Sequence, residues 1–134
     1  DSLTNALKEN SSLQLLDISK NGIKNNKMPA LASMLVANVS IQQLNLSQNG
    51  ISNNGVKALA DSLRANTSLR HLNLAENRIG NKGVHFLAEA LQINTSIQKL
   101  QLEKNSISDE ARCPSQIFSK TTCLYDSCLF GTKN

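Results

Sequence analysis

The chain has 134 residues, a 40% hydrophobic share and a net charge of +4. This is enough apolar material for one core, but with aromatics at 3% that core is aliphatic, and the stacking platforms used by single-strand nucleic-acid binders are missing. Basic residues are scattered and no apolar run reaches bilayer length, so neither nucleic acid nor a membrane is expected as a partner.

In chain order, residues 1–10 read as the second half of a repeat, with Leu3, Leu7 and Asn10 standing 28 positions before Leu31, Leu35 and Asn38. Three full units follow, about 11–38, 39–66 and 67–94, and then a partial unit, 95–111. Leu13, Ile41, Leu69 and Ile97 fall in one column, and Leu16, Leu44, Leu72 and Leu100 in another. Ile18, Leu46, Leu74 and Leu102 form a third, and Ile23, Ile51, Ile79 and Ile107 a fourth. Self-similarity at a fixed period marks a solenoid, in which the apolar stripe of each unit is buried only by stacking on the next. The opening Asp1 is not a start methionine, and the chain reads as processed, trimmed or a fragment.

The period changes inside each unit. Leu72-Asn73-Leu74 alternates apolar and polar, as in a strand with one buried face. Val84, Leu87, Ala88 and Leu91 recur at three- and four-residue steps, as on an amphipathic helix. Strands are predicted near 15–18, 43–46, 71–74 and 99–102, and helices over 26–37, 54–65 and 82–93. The fold class is therefore α/β, a right-handed strand-loop-helix solenoid bent into a horseshoe arc with its parallel sheet on the concave face.

Particular residues carry this geometry. Gly55 and Gly83 near the helix starts suit close packing or a tight turn, and Pro29 suits a helix's first turn, where no intrahelical partner is lost. Asn38, Asn66 and Asn94 end their helices and are expected in the left-handed cap. Asn21, Asn49, Asn77 and Asn105 follow the strands at a constant step. An inward-facing amide both donates and accepts, so this column is expected to form a structural ladder that satisfies backbone groups where the chain leaves the sheet.

The pattern L-x-x-L-x-L-x-x-N-x-I runs from Leu69 through Leu72, Leu74 and Asn77 to Ile79, then continues through Gly83-Val84 to Asn94. It resembles the ribonuclease-inhibitor-like leucine-rich repeats, similar units of which occur in NOD-like receptors and Ran GTPase-activating proteins. The resemblance covers residues 1–111 and implies the fold more than the function. Ribonuclease inhibitor is rich in cysteine, whereas Cys113, Cys123 and Cys128 all lie beyond these repeats.

The resemblance implies a protein-interaction module, part of a larger scaffold or receptor, with no enzymatic activity and no cofactor. The alternative is an enzyme regulator, either a GTPase activator or a nuclease inhibitor. The concave face is expected to bind the partner through Asp17, Ser19, Gln43, Asn45, Ser47, His71, Asn73, Glu76, Lys99, Gln101 and Glu103. No catalytic set emerges. His71 and His85 are placed on different faces, and the three cysteines lack zinc-ligand spacing, so no metal is expected. Repeats without cysteine fit a reducing compartment, and the chain is expected to be cytoplasmic. Five Asn-x-Ser/Thr triplets, at Asn10, Asn38, Asn45, Asn66 and Asn94, arise mostly from the helix-end column itself.

Residues 112–134 leave the pattern: Ser115, Gln116 and Ser119 stand where Leu87, Ala88 and Leu91 would be. This tail reads as a divergent cap or a disordered end. Without a polar cap the last unit would expose an apolar face, which predicts self-association through the C-terminal end.

Overall fold

The structure is a computed structural model that describes residues 2–108 and the two-residue strand Thr122–Cys123. The elements are α1 (Ser2–Glu9), β1 (Leu15–Asp17), a 3-10 turn (Asn25–Lys27), α2 (Met28–Ala37), β2 (Gln43–Asn45), α3 (Asn53–Leu63), β3 (His71–Asn73), α4 (Asn81–Ile93), β4 (Lys99–Gln101) and β5 (Thr122–Cys123). The strands form one sheet in the order β1-β2-β3-β4-β5. All neighbours pair in parallel, and β1 to β4 are in register at the repeat step: Leu16 lies beside Leu44, Leu44 beside Leu72, and Leu72 beside Leu100. Helices α1 to α4 pack side by side behind the sheet. Packed helices need about 8–10 Å each and strands about 4.8 Å, so the stack bends with the sheet inside the curve.

The named strands are one residue shorter than expected, yet their ladder continues. Leu46 N–H donates to the Asn73 carbonyl at 2.8 Å and Gln48 N–H to the Ala75 carbonyl at 3.1 Å, a pattern that recurs in the flanking repeats. Between these contacts the chain turns inward. Lys20, Gln48, Glu76 and Lys104 each adopt a left-handed backbone, with φ between 57 and 60°. Four non-glycine residues hold a conformation that costs about 1 kcal/mol or more each, directly before each asparagine of the expected ladder.

The core is aliphatic, as composition requires. Ile41, Leu46, Ile51, Val56, Leu59, Leu69, Leu74, Ile79 and Leu87 have no exposed surface. Each such side chain contributes on the order of 1.5–3 kcal/mol through burial. Helices α3 and α4 approach the sheet closely because each has a glycine in its first turn. A Cβ on Gly55 would lie 2.5 Å from Asn25 Oδ1 and 2.9 Å from both Ile51 Cγ2 and Met28 Cγ, and one on Gly83 would meet Ile79 Cγ2 at 2.6 Å. Of the two roles the sequence suggested for these glycines, close packing is the one observed.

The first and last units are covered differently, and α1 is the helical half of a unit, as the repeat spacing of residues 1–10 predicts. At the C-terminal end β5 pairs with β4, Thr122 beside Lys99 and Cys123 beside Leu100, so the edge of β4 is occupied there. The expectations for the rest of residues 109–134 lie outside the described residues. Among the described residues, open apolar surface lies at the other end, where Leu16, Ile18 and Ile23 are only partly buried although their counterparts one repeat on are enclosed. A hollow of about 300 Å³ lies there between Leu3, Leu7, Leu16, Ile18, Ile23 and Leu31.

An alanine at position 55 gains roughly 1 kcal/mol of helix propensity but meets neighbouring atoms inside contact distance. Gly55→Ala is expected to destabilise the fold by about 1–3 kcal/mol in denaturant unfolding, the usual cost of overpacking. A neutral or stabilising effect would show that the helix is free to move outward.

Candidate functional site

The face of the sheet is only as firm as the corners where each repeat leaves it, and asparagines hold those corners. Asn77 Oδ1 accepts the N–H groups of Asn49 and Ile51, both at 3.0 Å, from the preceding repeat. Its Nδ2 donates to the carbonyls of Leu46, Leu74 and Ala75 at 3.0–3.2 Å. Asn49 repeats the arrangement toward Asn21 and Ile23, and Asn105 toward Ile79. Asn21 departs from the inward reading: it is exposed, and its Nδ2 donates locally to the Ser19 carbonyl.

The helix-end column also corrects its expectation. Asn38 and Asn94 have extended backbones, with ψ of 136 and 131°, and are not left-handed caps. They form a second ladder instead. Asn66 Nδ2 reaches back to the carbonyls of Leu35 and Asn38 at 2.7 and 3.4 Å, while its Oδ1 accepts the N–H groups of Ser68 and Leu69. Asn38 and Asn94 do the same, and the three are only 2, 7 and, for Asn66, 4% exposed.

A third column, Asn25, Asn53 and Asn81, recurs at the same step. Asn53 Oδ1 accepts the N–H groups of Gly80 and Gly83 at 2.8 and 2.9 Å, so one repeat caps the helix of the next. Gly80 has no side chain to do this itself.

On this frame the predicted site residues form rows. Gln43, His71 and Lys99 pair across β2, β3 and β4, and Asp17, Asn45, Asn73 and Gln101 form the next row across β1 to β4. Asp17 and Gln43 are exposed, whereas Asn45, His71, Asn73, Lys99 and Gln101 are half-buried. Glu76 is exposed on its left-handed turn, with Gln48 donating to its carboxylate at 3.2 Å. Ser19 and Glu103 are half-buried, but Ser47 is 8% exposed and does not belong to the open face. It stands where the chain has begun to turn inward, beside the equally buried position of Ala75. Leu15, in register with Gln43, is 55% exposed.

Three residues of the second row are held by one local motif. Asp17, Asn45 and Asn73 each accept a backbone N–H two residues on, from Ser19, Ser47 and Ala75, at 2.9–3.0 Å. The Ser19 hydroxyl adds a bond at 2.7 Å to Asp17. This hydroxyl first, then the Ser19 N–H, holds the Asp17 carboxyl below its ordinary value. His85, on α4, is paired with Glu89 at 3.1 Å, away from His71. Among the described residues no three His, Cys, Asp or Glu side chains converge as metal ligands, and no helix is long and apolar enough to cross a membrane.

The model of the leucine-rich-repeat family matches residues 9–26, 37–60 and 65–88. The fold is a leucine-rich-repeat solenoid. Among solved structures, the leiomodin-1 actin-binding site 2 superposes with a TM-score of 0.82 at 18% identity, over 93% of this chain and 78% of that one. The tropomodulin C-terminal domain of Caenorhabditis elegans gives 0.79 at 16% identity, over 94 and 83%. At these identities the likeness is one of fold. No curated protein matches the sequence.

Asn77→Ala and Asn66→Ala each strand several buried backbone groups and are expected to cost about 1–3 kcal/mol or more in thermal unfolding. Asn73→Ala, which forfeits one local bond, should cost far less. Equal shifts in the three variants would contradict the ladder. For Asp17, whose carboxyl is depressed, the folded-state preference is present above the unfolded value and is lost as pH falls through the folded one. Ser19→Ala should move the Asp17 midpoint upward in a carboxyl NMR titration, and an unmoved midpoint would remove the hydroxyl as the cause.

Proposed function

We propose that this chain is a protein-binding module that holds its partner on the concave sheet face, and that its repeats are of the ribonuclease-inhibitor-like type. The observation that carries the reading is the arrangement of Asp17, Asn45 and Asn73. Polar side chains stand one strand apart, each already fixed by its own backbone bond, so a partner docks on them with little ordering cost. The similar leiomodin solenoid is described as an actin-binding site, which supports the use of so short a repeat stack for protein binding and makes actin the first partner to test. No observation favours the enzyme-regulator alternative.

We place the chain in the cytoplasm on the strength of the second ladder. Asn38, Asn66 and Asn94 are glycosylation triplets whose Nδ2 atoms, the atoms a glycan would occupy, are buried and donate to carbonyls of the preceding repeat. A chain made in the secretory pathway would be modified at the atoms its fold requires. Directed there by an added signal, it should carry glycans and fail to fold. A secreted chain glycosylated at these positions with an unchanged melting temperature would contradict the placement.

Charge reversal tests the face. With immobilised chain and purified actin, or another partner identified by mass spectrometry, Glu76→Lys and Lys99→Glu should weaken capture about tenfold each, since reversal replaces attraction by repulsion. Lys57→Glu and Lys82→Glu on the exposed helix backs should leave it unchanged. Equal losses from both sets would defeat the concave-face reading.

A further inference from the structure

A shallow groove of about 200 Å³ crosses β1 to β4, between the row that begins at Leu15 and the row that begins at Asp17. Its two ends differ in chemistry. At one end Leu15 is an apolar side chain, 55% exposed, on an otherwise polar face. At the other, Lys99 lies beside His71, and exposed Arg70 precedes them in the chain. Between the ends stand amides. Asn73 has committed its oxygen to a backbone N–H group, which leaves its Nδ2 donor as the group it brings to a ligand in the groove, while the Asn45 amide accepts a backbone N–H and donates to the Asp17 carboxylate. Gln43, exposed at the middle of the first row, adds another amide.

An apolar anchor, amide donors from Gln43 and Asn73, and a cationic end suit one kind of ligand. Amide donors pair with main-chain carbonyls, and an extended chain presents those without rearrangement. From Leu15 to Lys99 is three strand steps, about 14 Å at about 4.8 Å each, and an extended peptide covers that distance in about four residues at about 3.4 Å each. Residues four apart in an extended chain point the same way. We propose that the groove binds an extended peptide segment crossing the strands. Its apolar side chain rests on Leu15, and a carboxylate four residues away meets Lys99 and His71. Asp17, beside Leu15, disfavours a second carboxylate at the apolar end and so keeps the acidic side chain at the Lys99 end.

This inference rests on the concave-face reading and adds the form of the partner to it. It is tested by panning a random displayed-peptide library on the full chain and remeasuring the enriched peptides on variants. The expected result is enrichment of sequences with an aliphatic or aromatic residue and an Asp or Glu four positions apart. Lys99→Glu and Leu15→Asp, both on the open face, should each weaken the selected peptides at least about tenfold. Panning on the Lys99→Glu variant should replace the acidic residue by a basic one. Failure to enrich any peptide, or enrichment without this spacing, overturns the peptide proposal. If the selected peptides are weakened by Glu76→Lys but not by Lys99→Glu or Leu15→Asp, the groove assignment falls while the concave face stands. If only Lys57→Glu or Lys82→Glu weakens them, both fall.

Discussion

Every repeat has to satisfy the backbone groups left over where its chain leaves the sheet and where it leaves the helix. A stack of parallel strands pairs its own N–H and C=O groups, but the corners are buried by the next repeat and see no water. A buried unpaired backbone group costs about 1–3 kcal/mol, and each repeat has several. Asparagine resolves this because its short amide donates and accepts at once. Aspartate would accept only and would bring a charge, and glutamine would hold the same groups on a longer, less constrained stem. Asn77 alone joins five backbone groups from two repeats.

The consequence is register. Because the acceptors and donors of each asparagine belong to neighbouring units, a repeat is correct only when its neighbour stands one full unit away. The third column extends this coupling to the helices, with Asn53 capping the helix that follows through Gly80 and Gly83. The glycines let the helix come close enough for that bond, since any Cβ at Gly83 would fall 2.8 Å from Asn53 Oδ1. Local strain at Lys20, Gln48, Glu76 and Lys104 is held in place by the same framework. Rows of side chains across the sheet are thus a by-product of backbone satisfaction, and the identity of those side chains is free to serve recognition.

Much of the fold could be read in the sequence because a solenoid turns sequence period directly into spatial neighbours. Leu16, Leu44, Leu72 and Leu100 share a column and also a strand register. The inward role of Asn49 and Asn77 followed from the need to satisfy corners. What escaped was cross-repeat chemistry without a local signature. Asn38, Asn66 and Asn94 look like helix caps within one unit, and only the adjacent carbonyls of the preceding unit reveal their second function. Asn25, Asn53 and Asn81 recur at the same step, but nothing within one repeat says what they bond. Ser47 was assigned to the open face by strand alternation, which no longer applies once the chain turns at Gln48. The pairing of Thr122–Cys123 with β4 had no repeat signal to announce it.

The central claim is that side-chain amides of one repeat hold the backbone of its neighbour, and native-state hydrogen exchange measures this directly. The N–H of Ile51 is bonded to Asn77 Oδ1 and the N–H of Ile23 to Asn49 Oδ1. In the intact chain the Ile51 N–H should exchange as slowly as the ladder N–H of Leu46, although Ile51 lies outside any strand. In Asn77→Ala, Asn49 and Ile51 should lose their protection while Asn21 and Ile23 retain theirs. Rapid exchange of Ile51 in the intact chain, or protection there that survives the loss of Asn77, would contradict the account.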